Sequence, residues 1–227
     1  PISKADCPKQ FIDVMGTGRT MLQSTYRRYA QLCGRERVVV VTGEQYADRV
    51  REQLPELEDW QVLSEPLRRN TAPCVAYAAA VIAAHDPGAT LIVTPSDHAI
   101  FREEKFMTDM KQAVDTVQKH DWIITLGAQP VRPVTSYGYI QFREEPALPK
   151  AHNLHEVVTF TEKPPLEMAR QFIASGEFFW NAGILVCQLP VLRDAFRKHL
   201  PPVADAFFNL GITTPWGMTI SSDIEQQ

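Results

Sequence analysis

The sequence predicts an α/β fold in which helices cover both faces of a mostly parallel β-sheet. Short apolar runs rich in β-branched residues recur along the chain, and segments suited to helices separate them. Continuous apolar runs are typical of parallel strands that are buried on both faces. The helical segment at residues 72–84 is alanine-rich and apolar all round, which suits a helix packed tightly on a sheet. Strands that alternate with helices in this way favour an α/β fold.

The position of each element follows from the apolar runs and from the residues that end them. Residues 37–42 form a β-branched run that is closed by Gly43, a pattern typical of a buried strand. The predicted strands are residues 37–42, 61–64, 91–93, 122–126, 157–160 and 183–187. The predicted helices are residues 20–32, 45–54, 72–84, 103–119, 166–174 and 191–200. Because no clear linker or repeat interrupts the alternation, we expect residues 1–227 to form a single domain.

The composition disfavours several classes of protein. The chain has 227 residues, of which 44% are hydrophobic and 22% charged, as in ordinary globular proteins. Its formal net charge is −4, so no basic excess favours nucleic acid or an anionic membrane as a partner. The four cysteines and six histidines show no spacing typical of a zinc site. Scattered cysteines, with no visible signal peptide or membrane-spanning run, predict a cytoplasmic protein with reduced thiols.

Thr94-Pro95-Ser96-Asp97-His98 directly follows the predicted strand at residues 91–93. Open α/β sheets bind their ligands beyond the carboxyl ends of the strands. An exposed carboxylate at such an edge can hold a divalent cation against phosphate oxygens. Pro-Ser-Asp is also ordinary turn chemistry, so these five residues alone leave a structural role open.

Glu65 follows a second predicted strand and has two acceptor oxygens. These oxygens match the N1–H and N2–H donors of guanine, whereas a solvated glutamate is the simpler alternative.

Asn70-Thr71-Ala72-Pro73 precedes the alanine-rich segment. Asn70 or Thr71 can cap that helix, and Pro73 is tolerated in its first turn. The free amides of the same helix end could instead meet a nucleotide.

Three further polar segments lie at or near predicted strands. Gly138 stands between two tyrosines, where it indicates either a bulge or a close backbone approach to a sugar. Glu162 and Lys163 come just before two prolines, and they form either an exposed ion pair of small value or a site for sugar hydroxyls and phosphate. Asn181 follows Trp180, and a role in the core explains the tryptophan better than the amide.

Taken in order, these segments closely resemble the mannose-1-phosphate guanylyltransferase family. The resemblance extends from near Pro1 to about Leu210. The pattern Glu-Pro-x-x-Arg-Asn-Thr-Ala-Pro is particular to the guanylyltransferases within the wider sugar-nucleotidyltransferase superfamily. The matching segments are Pro8-Lys9-Gln10-Phe11, Glu65-Pro66 with Arg69-Asn70-Thr71-Ala72-Pro73, Pro95-Ser96-Asp97-His98, Tyr137-Gly138-Tyr139-Ile140, Glu162-Lys163-Pro164 and Trp180-Asn181-Ala182-Gly183.

The resemblance implies a Rossmann-like nucleotidyltransferase fold with a mixed, mostly parallel sheet. It implies that GTP and mannose 1-phosphate, with Mg²⁺ as cofactor, give GDP-mannose and pyrophosphate. The sugar phosphate would attack the α-phosphorus in line, without a covalent enzyme intermediate. The implied roles are Lys9 for phosphate charge, Asp97 for magnesium, Glu65 for guanine, Asn70 and Thr71 for the base and ribose, Gly138, Glu162 and Asn181 for mannose, and Lys163 for the sugar's phosphate.

The chain also departs from the family pattern at both ends. The family's glycine-rich triphosphate loop is absent, and Pro1 aligns with the last residue of that motif. The glycine-containing segment at residues 15–19 is expected to be a turn before the next helix and is not assigned to phosphate. The family's second metal-binding aspartate has no counterpart, because Asp223 is interpreted as a helix cap. We therefore expect the chain as given to be almost inactive, with exposed strand edges where the first family strand is missing.

Two other functions stay open at this point. A non-catalytic sugar-nucleotide sensor would explain the missing phosphate loop, although such a sensor has no need to retain Lys9, Asp97 and Lys163. A nucleotidyltransferase for another hexose 1-phosphate or another base is the second alternative, because sugar choice depends on pocket shape. The partners expected in each case are small molecules, and a homodimer is possible.

Overall fold

The computed structural model describes residues 8–65, 70–149, 151, 153–209, 212–213 and 219–220. The chain divides into two compact units. Unit 1 contains Pro1–Ile123 and Val186–Gln227, and unit 2 contains Ile124–Leu185. None of the helices formed by the described residues has the length and apolar character that a membrane span requires.

Helices and strands alternate through most of unit 1, whereas strands dominate unit 2. The helices are α1 (Met21–Cys33), α2 (Ala47–Gln53), α3 (Thr71–His85), α4 (Glu103–Val117), α5 (Leu166–Ser175), α6 (Leu189–His199) and α7 (Pro201–Ala204). The strands are β1 (Val40–Gly43), β2 (Val62–Glu65), β3 (Thr90–Val93), β4 (Ile124–Ala128), β5 (Gly138–Pro146), β6 (His155–Glu162), β7 (Phe178–Gln188), β8 (Ile212–Thr213) and β9 (Thr219–Ile220).

In unit 1, strands β1 and β2 pair in parallel, and Gly43 lies opposite Glu65 at their carboxyl ends. Helix α3 has apolar residues all round, and it buries Val75, Ala76 and Ala79 against Leu91 and Cys187. Its Ala80 and Val81 pack with Leu63 of β2 and with residues of β1. The small side chains of α3 therefore allow one helix to pack on both strand groups of unit 1.

A cavity of about 1180 Å³ is lined by residues of β1 and β3. Among the described residues, β1 pairs with β2 alone and β3 pairs with β7 alone, so each strand has one open edge. Valine and isoleucine side chains of both strands face this cavity, and residues of α1, α3 and α4 complete its lining.

Unit 2 is built on antiparallel pairing. Strand β5 pairs antiparallel with β6, and Gly138 lies opposite Glu162. On its other side β5 pairs antiparallel with β7, where Tyr139 lies opposite Trp180. Tyr139 and Ala169 are fully buried and pack with Phe178, so α5 covers one face of these strands. The α/β class is confirmed, but the predicted mostly parallel sheet is not, because an apolar run does not encode the direction of its neighbours.

Most predicted elements occur near their predicted positions, and the differences lie at polar strand segments. Helix α1 begins next to its predicted start, and Thr20 is its cap, since its hydroxyl accepts from Gln23 N–H and the Gln23 side chain accepts from Thr20 N–H. Strand β5 was not predicted, because its second half is charged and exposed. The strand predicted at residues 122–126 begins only at Ile124, and β7 begins five residues before the predicted strand at 183–187. Asp223 lies outside the described residues.

Candidate functional site

Lys9 and Asp97 form an ion pair at the carboxyl end of β3. The Lys9 Nζ atom lies 2.8 Å from Asp97 Oδ2, and the Lys9 side chain is 54% exposed while that of Asp97 is 25% exposed. Lys9 belongs to a short 3₁₀ turn that the buried side chain of Phe11 anchors. The two residues are far apart in sequence, so the fold brings together the predicted phosphate and magnesium ligands. A cation and a carboxylate that solvent can reach are the groups expected at a phosphate-binding edge.

His98 follows Asp97 and is only partly exposed. Burial lowers the pKa of the His98 imidazole, and the neighbouring Asp97 carboxylate opposes this shift. The imidazole is therefore neutral at physiological pH. A neutral ring beside the ion pair adds hydrogen-bonding capacity without adding a further positive charge.

Glu65 is the last residue of β2 and points towards the start of α3. The Cys74 thiol in the first turn of α3 donates a hydrogen bond to the Glu65 carboxylate. Burial raises the pKa of Glu65, and the bond to Cys74 partly offsets this shift. Burial also raises the pKa of Cys74 to about 11, with the Glu65 charge contributing, so this thiol stays protonated at neutral pH. A half-buried carboxylate that accepts from the Cys74 thiol has further lone pairs with which it can accept from a ligand.

Asn70 occupies the cap position of α3, as one of the two predicted capping residues. Its side chain makes no capping hydrogen bond, and its backbone adopts φ 69°. Combined with ψ −175°, this positive φ strains a residue that carries a side chain. Asn70 and Thr71 are both exposed, so solvent or a ligand can reach both residues. The neighbouring matching segment, residues 66–69, lies outside the described residues.

Gly138, Glu162 and Asn181 lie together in unit 2. A Cβ atom at position 138 would lie 2.6 Å from Glu162 Oε2 and 3.4 Å from Asn181 Cβ. The lack of a side chain at Gly138 therefore leaves room for the Glu162 carboxylate. Three residues predicted to contact the same sugar come from three different strands and meet at one place.

The Asn181 amide is held in a defined orientation. Its Oδ1 accepts from Gly183 N–H at 2.8 Å and from the Thr125 hydroxyl at 3.5 Å. Its Nδ2 lies 3.7 Å from the position of a Cβ at Gly138. Because the oxygen is engaged by the protein, the amide presents its N–H donors on the side of Gly138 and Glu162.

Lys163 extends from the end of β6 beside this cluster. Its backbone is left-handed, with φ 49°, and its N–H donates to the Tyr137 carbonyl oxygen at 3.1 Å. Its Nζ lies 3.1 Å from Glu162 Oε1, and both side chains are about two-thirds exposed, at 64% and 66%. Such an exposed pair contributes little to stability. A lysine with a strained backbone and a weakly held ammonium group is available to a phosphate.

The segment at residues 13–18 forms a closed turn. The Asp13 carboxylate accepts from Thr17 N–H at 3.0 Å and from Gly18 N–H at 2.6 Å. These hydrogen bonds lower the pKa of Asp13. Because an internal carboxylate already occupies these amides, the glycine-containing segment is a turn before α1, as expected from the sequence, and is a poor phosphate site.

The donor set for a metal ion is small. The described residues contain no group of three or more His, Cys, Asp or Glu side chains placed to hold a metal. Mg²⁺ is commonly bound through one or two carboxylates together with substrate phosphates and water. Asp97 fits this pattern as a single protein ligand, since its carboxylate is accessible and stands at the carboxyl end of β3.

Comparison with known proteins assigns the chain to a class. It belongs to the nucleotidyl transferase family, which it matches over residues 1–209. It is similar to the mannose-1-phosphate guanylyltransferase of Escherichia coli strain K12, with 35% identity over 91% of this chain and 43% of the relative. It is similar to the alginate biosynthesis protein AlgA of Pseudomonas aeruginosa, with 32% identity over 90% of this chain and 42% of the relative. The chain thus spans less than half the length of these relatives, and the resemblance drawn from the motifs is confirmed.

Two solved structures share the fold. One is described as a mannose-1-phosphate geranyltransferase from Thermus thermophilus, with a TM-score of 0.78, 28% identity and coverage of 91% of this chain and 58% of the other. The second is described as a mannose-6-phosphate isomerase from Helicobacter pylori, with a TM-score of 0.75, 30% identity and coverage of 90% and 75%. Both similarities support a nucleotidyltransferase-like α/β fold.

Sequence reasoning missed several residues that support the candidate site. Cys74 contacts Glu65, and Thr125 contacts Asn181. Thr25 of α1 donates to the Ser96 carbonyl oxygen, and Arg28 lies beside Glu103, just after the segment that carries Asp97. None of them belongs to a recognisable motif, because their roles depend on contacts between segments that are distant in sequence.

Proposed function

We propose that the protein carrying this chain transfers a guanylyl group from GTP to mannose 1-phosphate, giving GDP-mannose and pyrophosphate. The name of the similar Escherichia coli protein supports this activity. The observation that carries the proposal is the Lys9–Asp97 pair, with Nζ and Oδ2 2.8 Å apart at the carboxyl end of β3. Because the chain spans only part of these relatives, the substrates of the whole protein belong to the proposal.

The nucleotide is assigned to residues of unit 1. Glu65 accepts from the N1–H and N2–H groups of guanine, and adenine lacks this pair of donors. The desolvation that raises the Glu65 pKa makes an unpaired acceptor costly, and this favours a base with matching donors. Asn70 and Thr71 support the base and ribose through the accessible end of α3.

The sugar phosphate is assigned to residues of unit 2. The Glu162 carboxylate accepts from mannose hydroxyls, and the Asn181 amide donates to them. Because Gly138 has no side chain, it leaves space beside both groups. Lys163 binds the phosphate, and the weak pair with Glu162 leaves its ammonium group available.

The reaction joins a phosphate oxygen of mannose 1-phosphate to the α-phosphorus of GTP. The bond from that phosphorus to the bridging oxygen breaks, and pyrophosphate leaves with the electron pair. Lys9 neutralises phosphate charge, and Asp97 holds Mg²⁺, which supplies further charge neutralisation when bound. Positioning and charge neutralisation are sufficient for such a transfer, since no covalent intermediate is needed.

The cellular location and the partners of the protein are proposed from its sequence. We propose a cytoplasmic enzyme that acts on small molecules, without nucleic acid or membrane partners. The single domain predicted from the sequence and a homodimer both remain predictions. No observation favours a sensor or another hexose phosphate.

The test is pyrophosphate release by the full protein that carries this chain. GTP with mannose 1-phosphate should give release, and ATP or UTP with the same sugar should give far less. Glucose 1-phosphate with GTP tests the sugar. Pyrophosphate release that does not depend on mannose 1-phosphate would contradict the proposal.

A further inference from the structure

Arg28 is a buried charge in the middle of α1. The residue is 4% exposed, whereas Arg27 beside it on the same helix is exposed. Arginine is rarely buried to this extent unless its charge has a partner, because desolvation of the guanidinium group is costly. A buried cation without a part in the proposed reaction therefore calls for another role.

The contacts of Arg28 lead to the first turn of α4. Its Nε atom lies 3.6 Å from Glu103 Oε1 and makes no hydrogen bond within the described part of the chain. Its guanidinium carbon lies 5.9 Å from the centre of the Phe106 ring. The Tyr29 ring meets the same Phe106 edge-on, with centroids 6.4 Å apart. Arg28 thus holds the position at which the segment after β3 enters α4.

A second residue of α1 holds the other end of that segment. The Thr25 hydroxyl donates to the Ser96 carbonyl oxygen at 3.3 Å. Thr25 and Arg28 are three residues apart, so they lie on one face of the helix. This face contacts the chain just before Asp97 and again at Glu103.

The segment between these contacts has no regular structure of its own. Residues 94–102 form neither helix nor strand, and they include Asp97 and His98. An irregular segment takes its conformation from external contacts, and here α1 supplies them.

We propose that Arg28, assisted by Thr25, is a positioning residue that fixes the segment at residues 94–102 and so places Asp97 beside Lys9. The inference rests on the proposed role of Asp97 in the reaction. The contacts of Arg28 are with Glu103 and Phe106 and not with the Lys9–Asp97 pair. Its effect is transmitted through Glu103 and through the backbone of the segment.

The experiment compares hydrogen–deuterium exchange of residues 94–102 in the full protein and its variants. Arg28→Lys keeps the charge and loses the planar fork, and Arg28→Gln loses the charge as well. Both should accelerate exchange in this segment by at least about tenfold, while α2 and β2 exchange at the parental rate. Arg27→Gln is the matched control on the same helix. In this variant, residues 94–102 should exchange at the parental rate, as should α2 and β2. Equal acceleration throughout unit 1 would overturn the proposal in favour of a general packing role.

Kinetics on the same variants separate positioning from substrate binding. kcat should fall by about tenfold or more, whereas KM for mannose 1-phosphate should stay within about twofold. If the Arg28 variants do not fold, Thr25→Val removes the Ser96 hydrogen bond with little change of shape, and parental exchange in that variant would overturn the proposal. If the parental protein releases no pyrophosphate but the Arg28 variants still show accelerated exchange, the proposed function would be wrong and the positioning role of Arg28 would still hold.

Discussion

The Lys9 ammonium group and the Asp97 carboxylate lie 2.8 Å apart, although 87 residues separate them in the chain. Each charge is partly accessible, so each can exchange its partner for a ligand. A cation that binds Asp97 would displace Lys9, which then becomes free to neutralise phosphate. The pair therefore holds two groups of opposite charge in place before substrate arrives.

Asp97→Asn should abolish most pyrophosphate release, because it removes the only charge of the proposed metal ligand and keeps the size of the side chain. Rates with saturating GTP and mannose 1-phosphate in the full protein measure the effect, and circular dichroism checks the fold. Asp48→Asn, at an exposed position of α2, is the control. Retention of more than about a tenth of the parental rate, a deficit below about 1.4 kcal/mol, would exclude Asp97 as the principal ligand.

Glu65→Gln should weaken the preference for GTP, because one acceptor of the base-reading pair becomes a donor. The expected loss in GTP binding is about 1–3 kcal/mol, the range for an unpaired buried polar group. Steady-state kinetics with GTP, ATP and UTP measure the preference. Glu44→Gln, at an exposed position after β1, should leave it unchanged. Parental discrimination in the Glu65 variant would remove this residue from base recognition.

The same carboxyl group should affect stability in a pH-dependent way. Burial raises the pKa of Glu65 in the folded state above its ordinary value of 4.5, so the folded state binds more protons than the unfolded state. The contribution of Glu65 to the free energy of unfolding is therefore favourable at low pH and is lost as the pH rises through the folded pKa. Urea unfolding between about pH 4 and pH 7 should show this decline, and Glu65→Gln should flatten it. Identical pH profiles for both proteins would contradict the shift.

Lys163→Ala should raise KM for mannose 1-phosphate far more than KM for GTP, because it removes the proposed phosphate ligand. Lys163→Gly removes the same ammonium group and also relieves the backbone strain at φ 49°. The glycine variant should unfold at a higher urea concentration than the alanine variant, with the same kinetic defect. Arg143→Ala, which breaks another exposed pair of unit 2, is the control. Equal effects on both substrates would indicate a fold defect.

Gly138→Ala should raise KM for mannose 1-phosphate by displacing the Glu162 carboxylate, since the new Cβ would lie 2.6 Å from Oε2. The end of a flexible side chain can move aside, so stability should change little. In a Glu162→Ala background the same substitution should have little further effect, and a double-mutant cycle measures this coupling. Additive effects of the two substitutions would show that Gly138 acts independently of Glu162.

Sequence reasoning succeeded where local chemistry decides the outcome. The helix predicted at residues 20–32 corresponds to α1, whose start is stabilised by a local capping box between the Thr20 hydroxyl and the Gln23 side chain. The apolar character of residues 72–84 predicted α3 to within one residue at each end. Asp97 is found at a strand end for the same reason, because an apolar run that stops at a Pro-Ser-Asp turn defines its own boundary.

The features of the fold and the site that were not predicted depend on contacts between segments that are distant in sequence. Strand β5 was missed because Arg143, Glu144 and Glu145 are exposed, and a half-exposed edge lacks the apolar run that marks a buried strand. The antiparallel pairing of unit 2 depends on which strands meet, a property that periodicity does not carry. Motifs named Gly138, Glu162 and Asn181 separately, whereas their proximity follows from the register of β5 with its two neighbours.

The cavity lined by β1 and β3 has a consequence for local unfolding. No ladder hydrogen bonds join these two strands in the described part of the chain, so the β1–β2 pair and β3 can open at different free energies. Helix α3 is packed on both and is their shared support. Fluctuations of α3 would loosen both strand groups at once, whereas fluctuations of either group can remain confined to it. Among the described residues of unit 1, we therefore expect the two strand groups to behave as separate cooperative units that α3 connects.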